Sequence, residues 1–128
     1  MKVLLDTHAF LWAVSDDERL SDRARDLIAD PDNDVYLSAA SAYEIAVKAA
    51  NGRLGLPEDP ATYLQTRIAT LGLRPLPVTV EHATEAAMLP PIHTDPWDRL
   101  LVAQGRLELL PILTTDAQVR RYDVETIW

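Results

Sequence analysis

Four acidic residues, Asp6, Glu44, Asp98 and Asp116, carry the chemistry this chain can offer. Grouped carboxylates hold hard cations or move protons, provided the fold gathers them. The most informative stretch is His93-Thr94-Asp95-Pro96-Trp97-Asp98-Arg99-Leu100-Leu101-Val102-Ala103-Gln104. Asp95 is a good N-cap and Pro96 suits the first helical position, which puts Asp98 one turn into a helix. There, backbone N–H groups lack partners and negative charge is favoured. Two readings follow: the acids only cap and charge a helix, or they stand at the mouth of a buried site. This stretch alone does not choose between them.

The other acids fall where strands would deliver them. Met1-Lys2-Val3-Leu4-Leu5-Asp6 and Pro111-Ile112-Leu113-Thr114-Thr115-Asp116 are short apolar runs that end in an acid. Each predicts a buried strand with a carboxylate at its C-terminal edge, where open parallel sheets place ligands. Val35-Tyr36-Leu37 leads through Ser38-Ala39-Ala40 into a helix with Glu44 in its first turn. Ser41-Ala42-Tyr43-Glu44 also reads as a capping box, with Glu44 bonding back to the Ser41 backbone. A metal-site role is the alternative for Glu44. Lys48 lies at i+4 from Glu44, either as its helix partner or reaching a phosphate at the cleft mouth.

Leu4-Leu5-Asp6-Thr7-His8, Glu44 in an Ala/Ser-rich helix start, Asp95-Pro96-Trp97-Asp98-Arg99 leading to Ala103-Gln104, and Leu113-Thr114-Thr115-Asp116 together resemble the PIN-domain ribonucleases. Within them the chain is most similar to the VapC toxins of type II toxin–antitoxin systems. The resemblance runs from Met1 to Trp128. Two positions depart from it: relatives often carry Phe in place of Trp97 and Ala in place of Gly105. Neither touches a carboxylate. The resemblance implies a homodimer, inhibition by a small VapB-like antitoxin whose tail covers the acidic cleft, and structured tRNA or rRNA as substrate.

The remaining elements form the frame. Thr7 to Val14 predicts a short helix with Thr7 near its cap and His8 bonded to backbone. Ser21 caps a helix through about Ala29, and Asp34 to Ser38 is the second strand. The Glu44 helix opens at Ser41 and ends at Asn51-Gly52. Asp59-Pro60 starts a helix that stops at Gly72 and forms a hairpin with the preceding one. By resemblance, that hairpin is where a second copy or the antitoxin packs. Leu76-Pro77-Val78 predicts an edge strand, because its prolines would interrupt a central ladder. Helices follow over Glu81 to Met88 and from Pro96 to about Leu107. The spacing then predicts the strand Ile112 to Thr114, a helix Ala117 to Arg121 capped by Thr115, and a last strand or tail over Val124 to Trp128. Arg99, adjacent to Asp98, is expected to pair with it, with contact to the scissile phosphate as the alternative. Trp97 is expected to pack, with stacking on a base as the alternative, and His82 to be a satisfied or exposed helical residue.

Composition narrows the class. A chain of 128 residues, 48% hydrophobic, suits a single PIN-like domain over residues 1–128 with one sizeable core. Strands alternating with helices predict a three-layer α/β architecture with a mainly parallel central sheet flanked by helices. There is no cysteine, which excludes disulfides and cysteine-based zinc or redox sites, and His8, His82 and His93 lack the close spacing of a zinc motif. No segment approaches the roughly 20 apolar residues of a membrane span, and no signal-peptide layout opens the chain. A cytoplasmic protein without membrane attachment is expected. The net charge of −8 opposes nucleic-acid binding through basic residues, although 10 of the 12 basic side chains are Arg.

Crowded carboxylates repel unless a cation joins them, and hard oxygen donors select Mg²⁺, with Mn²⁺ as a substitute. The chemistry expected is metal-dependent endonucleolytic hydrolysis of RNA. Asp6 and Asp98 are the principal metal ligands, Asp116 binds the same or a second ion, and Glu44 either holds an ion through water or orients that water. Thr7 and Thr114 are candidates to line the pocket. Two other classes remain open. A phospho-accepting signalling domain also sets acids around Mg²⁺, but it needs a Lys late in the chain, and the lysines here are Lys2 and Lys48. A non-catalytic PIN-like module would keep the acidic pocket for metal, protein or RNA binding.

Overall fold

The computed structural model describes residues 1–128. Its elements run β1 (Lys2–Leu5), α1 (Thr7–Ser15), α2 (Asp22–Ala29), β2 (Asp34–Ser38), α3 (Ala39–Ala50), α4 (Pro60–Leu71), β3 (Arg74–Leu76), α5 (Val80–Met88), α6 (Pro96–Leu107), β4 (Ile112–Leu113), a 3₁₀ turn (Val119–Arg121) and β5 (Thr126–Ile127). All strand pairs are parallel, in the order β3-β2-β1-β4-β5. The expected α/β architecture is therefore present.

Strand alternation explains the two apolar faces. Val3, Leu5, Val35, Leu37, Leu113 and Ile127 point to one side, where they pack with Phe10, Ile28, Ile45 and Leu64 from α1 to α4. Leu4 and Ile112 point to the other side and meet Leu89, Leu101 and Val102 beside α5 and α6, with Tyr122 closing the edge. A sheet buried on both faces reads as continuous apolar runs, which is why the strands are visible in the sequence.

Register sets the site. Leu5 pairs with both Leu37 and Leu113, so the next residues, Asp6, Ser38 and Thr114, emerge side by side at the carboxyl ends of the three central strands. The chain runs outward from β1 through β2 to β3, then returns to lay β4 on the opposite side of β1. That reversal opens a crevice between the helices leaving the sheet, the usual ligand position in such folds.

Several boundaries differ from expectation. Helix α3 begins at Ala39 because the Ser38 hydroxyl accepts from Ala40 N at 3.0 Å, so Ser38, and not Ser41, is the cap. The edge strand is Arg74–Leu76, two residues earlier than predicted; Pro75 is tolerated there because β3 pairs on one side only. The helix expected over Ala117 to Arg121 is one 3₁₀ turn without a side-chain cap; Thr115 does not cap it, and Asp116 Oδ1 accepts from Gln118 N at 2.8 Å. An aspartate at this position closes an Asx turn on its own backbone.

Gly105 has a packing reason. A Cβ there would stand 2.9 Å from Val124 Cγ2 and 3.0 Å from the Leu110 carbonyl oxygen, so α6 approaches the β4 edge more closely than any side chain permits. Gly105→Ala is therefore expected to lower stability by about 1–3 kcal/mol in urea unfolding. Gly55→Ala, where nothing lies within 4 Å, is the control and is expected to be near neutral.

Candidate functional site

The site is built from the ends of elements. Asp6 follows β1 and caps α1, its Oδ1 accepting from Ala9 N at 2.7 Å, while its own N–H donates to Leu113 O. Only 6% of Asp6 is exposed. Burial raises its pKa above the ordinary carboxylate value; the Thr114 hydroxyl, the Ala9 amide and the charge of His8 oppose the rise, and Asp116 adds to it. Thr114 is fully buried and its Oγ1 also accepts from Asp116 N at 3.0 Å. One hydroxyl thus ties the β1 acid to the β4 acid.

Helix α6 places the third acid. Asp95 Oδ1 accepts from Trp97 N at 2.9 Å and from Asp98 N at 3.2 Å, with Pro96 at the first helical position, as the sequence predicts. Asp98 then turns inward. Burial pushes its pKa up from 3.8 to about 7, the negative charges of Asp95, Asp116 and Glu44 push the same way, and His93 opposes them. This carboxyl is starved of compensating charge.

Glu44 sits 4% exposed on α3. Its Oε1 accepts from the Thr7 hydroxyl at 2.7 Å and its Oε2 from Lys48 Nζ at 2.5 Å. The capping box expected with Ser41 does not form, because the helix has started two residues earlier and Ser41 is buried within it, 3.0 Å from Thr7 Oγ1. Lys48 is the helix partner of Glu44 at i+4.

Donor atoms of His93, Asp98 and Asp116 all lie within 4.8 Å of one another. His93 Nε2 is 2.9 Å from Asp98 Oδ2 and 3.6 Å from Asp116 Oδ2. Asp6 and Glu44 flank this trio: Asp6 feels the charge of Asp116, and Asp98 feels that of Glu44. His93 shows no metal-motif spacing with His8 or His82, so histidine spacing does not assign it to the site. The available signal was its position two residues before the Asp95 cap, where the chain enters a helix aimed at the crevice.

Arg99 does not pair with Asp98. Neighbouring helical residues face different directions, and Arg99 turns to the loop before α6. It donates to the carbonyls of Ala86, Leu89, Pro90 and His93 at 2.8–3.2 Å and to the Tyr122 hydroxyl at 3.2 Å. That hydroxyl accepts from His93 N at 2.8 Å and donates to Pro90 O. Arg99 and Tyr122 therefore clamp the segment that presents His93. His8, expected to bond backbone, is exposed and packs on Trp12 instead, with ring centroids 5.7 Å apart. His82 is satisfied, accepting from Thr79 N and facing Glu108.

The residues fit a divalent cation. Crowded carboxylate oxygens with a raised proton affinity are the donor set that Mg²⁺ or Mn²⁺ accepts. The buried His93 Nε2 finds no hydrogen-bond partner of adequate geometry although carboxylate oxygens surround it. Its place among them marks a point of strongly negative potential. No helix is long and apolar enough to cross a membrane.

Comparison with known proteins places this geometry in context. The PIN domain family matches residues 3–125. Ribonuclease VapC16 of Mycobacterium tuberculosis is 42% identical over 62 residues, which are 48% of this chain and 43% of that protein, so the match spans less than half of the relative's length. Among solved structures, VapBC2 from Rickettsia felis bound to a DNA fragment from the promoter is 13% identical with a TM-score of 0.74, covering 100% of this chain and 98% of the other. A toxin–antitoxin complex from Klebsiella pneumoniae is 17% identical with a TM-score of 0.67, covering 98% and 96%. At these identities the likeness of structure is one of fold.

Two predictions follow from the site. Arg99→Met leaves several carbonyls without their charged donor and is expected to cost about 2–4 kcal/mol in urea unfolding. The second concerns pH. The fold favours protonated Asp98, so this group's stabilising contribution is complete below about pH 4 and is lost as pH rises through 7. In EDTA the melting temperature is expected to fall on going from about pH 5 to about pH 8. Added Mg²⁺ is expected to raise it more at the higher pH, because the ion binds the ionised acids. Scanning calorimetry at both pH values checks the sign.

Proposed function

The chain belongs to the PIN domain family, and from that premise we propose that it is a metal-dependent endoribonuclease. We read residues 1–128 as one PIN-like unit acting as the toxin of a type II toxin–antitoxin system, hydrolysing phosphodiester bonds in structured RNA of the tRNA or rRNA kind. The observation that carries this reading is the half-buried group of His93, Asp98 and Asp116 at the carboxyl end of the sheet, flanked by Asp6 and Glu44 and short of positive charge.

Asp6 and Asp98 are assigned as the principal Mg²⁺ ligands, with Asp116 on the same or a second ion and Mn²⁺ as a substitute. When bound, the cation supplies a Lewis acid that lowers the pKa of water and steadies charge on the phosphate oxygens. The chain's own groups do the positioning. The Thr7 hydroxyl and the Lys48 ammonium each hold one oxygen of Glu44, which fixes the carboxylate in place near enough for Asp98 to feel its charge and supports a role in orienting the attacking water. Thr114 keeps Asp6 and the Asp116 backbone in one arrangement, and the Asp95 cap holds the turn that carries Asp98. Such preorganisation means that few side chains must move as charge builds on the phosphate.

The antitoxin partner, the homodimer and the cytoplasmic setting belong to the same proposal. The relative's printed name, ribonuclease, supports the activity, and the toxin–antitoxin complexes among the solved structures support the partner. A basic side chain in the antitoxin tail would suit so acidic a crevice.

Purified protein incubated with total cellular RNA in Mg²⁺, Mn²⁺ or EDTA, with mapping of new 5′ ends, tests the reading. Discrete ends are expected with either metal and none with EDTA. Asp98→Asn is expected to lower the rate at least about a hundredfold while leaving the metal-free protein folded, since it removes a buried charge. Unchanged metal-dependent cleavage by the Asp6→Asn, Asp98→Asn double variant would refute the assignment.

A further inference from the structure

The acidic crevice leaves its aromatic rim unexplained. Tyr43 immediately precedes Glu44 on α3, and Trp97 immediately precedes Asp98 on α6. Their rings meet across the gap between the two helix starts, with centroids 6.4 Å apart and planes inclined by 55°. Tyr43 is 65% exposed, whereas Phe10, Tyr63 and Tyr122 are buried in the core. Lys48 Nζ lies 6.0 Å from the Trp97 ring centroid while bonded to Glu44. Packing accounts for one edge of each ring and leaves the outer face of Tyr43 open beside the carboxylates.

We propose that Tyr43 and Trp97 form a stacking platform for an unpaired base of single-stranded RNA, next to the phosphodiester held at the acidic group. This rests on the nuclease reading above. Lys48 links the acids to the aromatics in space, bonded to Glu44 and 6.0 Å from the Trp97 ring centroid, so the nucleotide next to a phosphodiester held at Asp98 and Asp116 comes within reach of the two rings. An unstacked base offers a flat π-face that a tilted, half-open aromatic pair accepts, and a base inside a duplex does not. Lys48 adds the only lysine ammonium near the rim, close enough to Trp97 to sit beside the flanking phosphate. Because every base has a π-face, the platform selects unpaired nucleotides and is tolerant of base identity. A chain with net charge −8 and no broad basic surface needs such an apolar contribution to hold RNA.

The test measures binding and cleavage of a short unstructured single-stranded oligoribonucleotide, containing the cleavage site where one has been mapped, in Mg²⁺. Tyr43→Ala and Tyr43→Leu are both expected to weaken RNA affinity and raise KM roughly 5- to 150-fold with little change in kcat, while Tyr43→Phe stays within about twofold. An abasic nucleotide beside the scissile phosphate is expected to weaken wild type by a similar factor and Tyr43→Ala no further. RNA is expected to quench intrinsic fluorescence in wild type and much less in Trp97→Phe, since Trp12 and Trp128 pack on each other elsewhere. RNA that wild type binds and cleaves, with Tyr43→Ala and Tyr43→Leu unaffected, overturns the platform and leaves the nuclease. Binding with the predicted variant pattern but no cleavage keeps the platform and removes the nuclease. Unchanged RNA affinity with a shift in sedimentation on Tyr43→Ala overturns the platform in favour of a contact between copies of the chain. Unchanged RNA affinity with loss of antitoxin binding overturns it in favour of a protein interface.

Discussion

Like charges crowded into a partly dry crevice are the constraint around which this protein is arranged. Asp98 is 19% exposed at its side chain and meets the fields of Asp95, Asp116 and Glu44. Ionised together, such groups oppose folding; they persist only where something else holds them or a cation joins them. The chain supplies partial relief. Lys48 answers Glu44, and the α1 N-terminus answers Asp6 through the Ala9 amide. Asp98 and Asp116 share only His93. The deficit of positive charge at that point gives the site a donor set that fits a divalent cation.

A floor of short hydroxyl side chains makes the arrangement rigid. Thr7, Ser38, Ser41 and Thr114 are all buried where the central strands end, and each has a partner on the neighbouring element. Small polar groups suit this position because they satisfy backbone and carboxylate atoms without filling the crevice. Farther out, Arg99 and Tyr122 fix the segment before α6, so the histidine facing the acids is held by contacts on the opposite side of the loop. The guanidinium is thus kept away from the acids it adjoins in sequence, which preserves their negative field.

Much of this was legible in the residues. The apolar runs of β1, β2 and β4 are continuous because both faces of a parallel sheet are covered, and Asp6 and Asp116 follow two of them directly. Asp95-Pro96 announces the α6 start, and Gly72 the α4 stop. The sequence was misleading where two local solutions compete. Ser38 and Ser41 are equally good caps by type, and the strand length of β2 chose the earlier one. Thr115 is a good cap by type, but the short turn takes no side-chain cap, and Asp116 closes an Asx turn on Gln118 N instead.

By itself, then, the sequence determined which residues are acids at strand ends, which helix starts carry them, and that no cysteine chemistry is present, because propensity, capping and strand patterning act over a few neighbouring residues. Tertiary structure alone decided who faces whom. The register of Leu5 with Leu37 and Leu113 set Asp6 beside Ser38 and Thr114, and the return of the chain past β1 brought His93, Asp98 and Asp116 together. The same packing turned Arg99 away and set Tyr43 against Trp97. Contacts between residues tens of positions apart depend on how helices settle on a twisted sheet, and no local rule of sequence encodes that geometry.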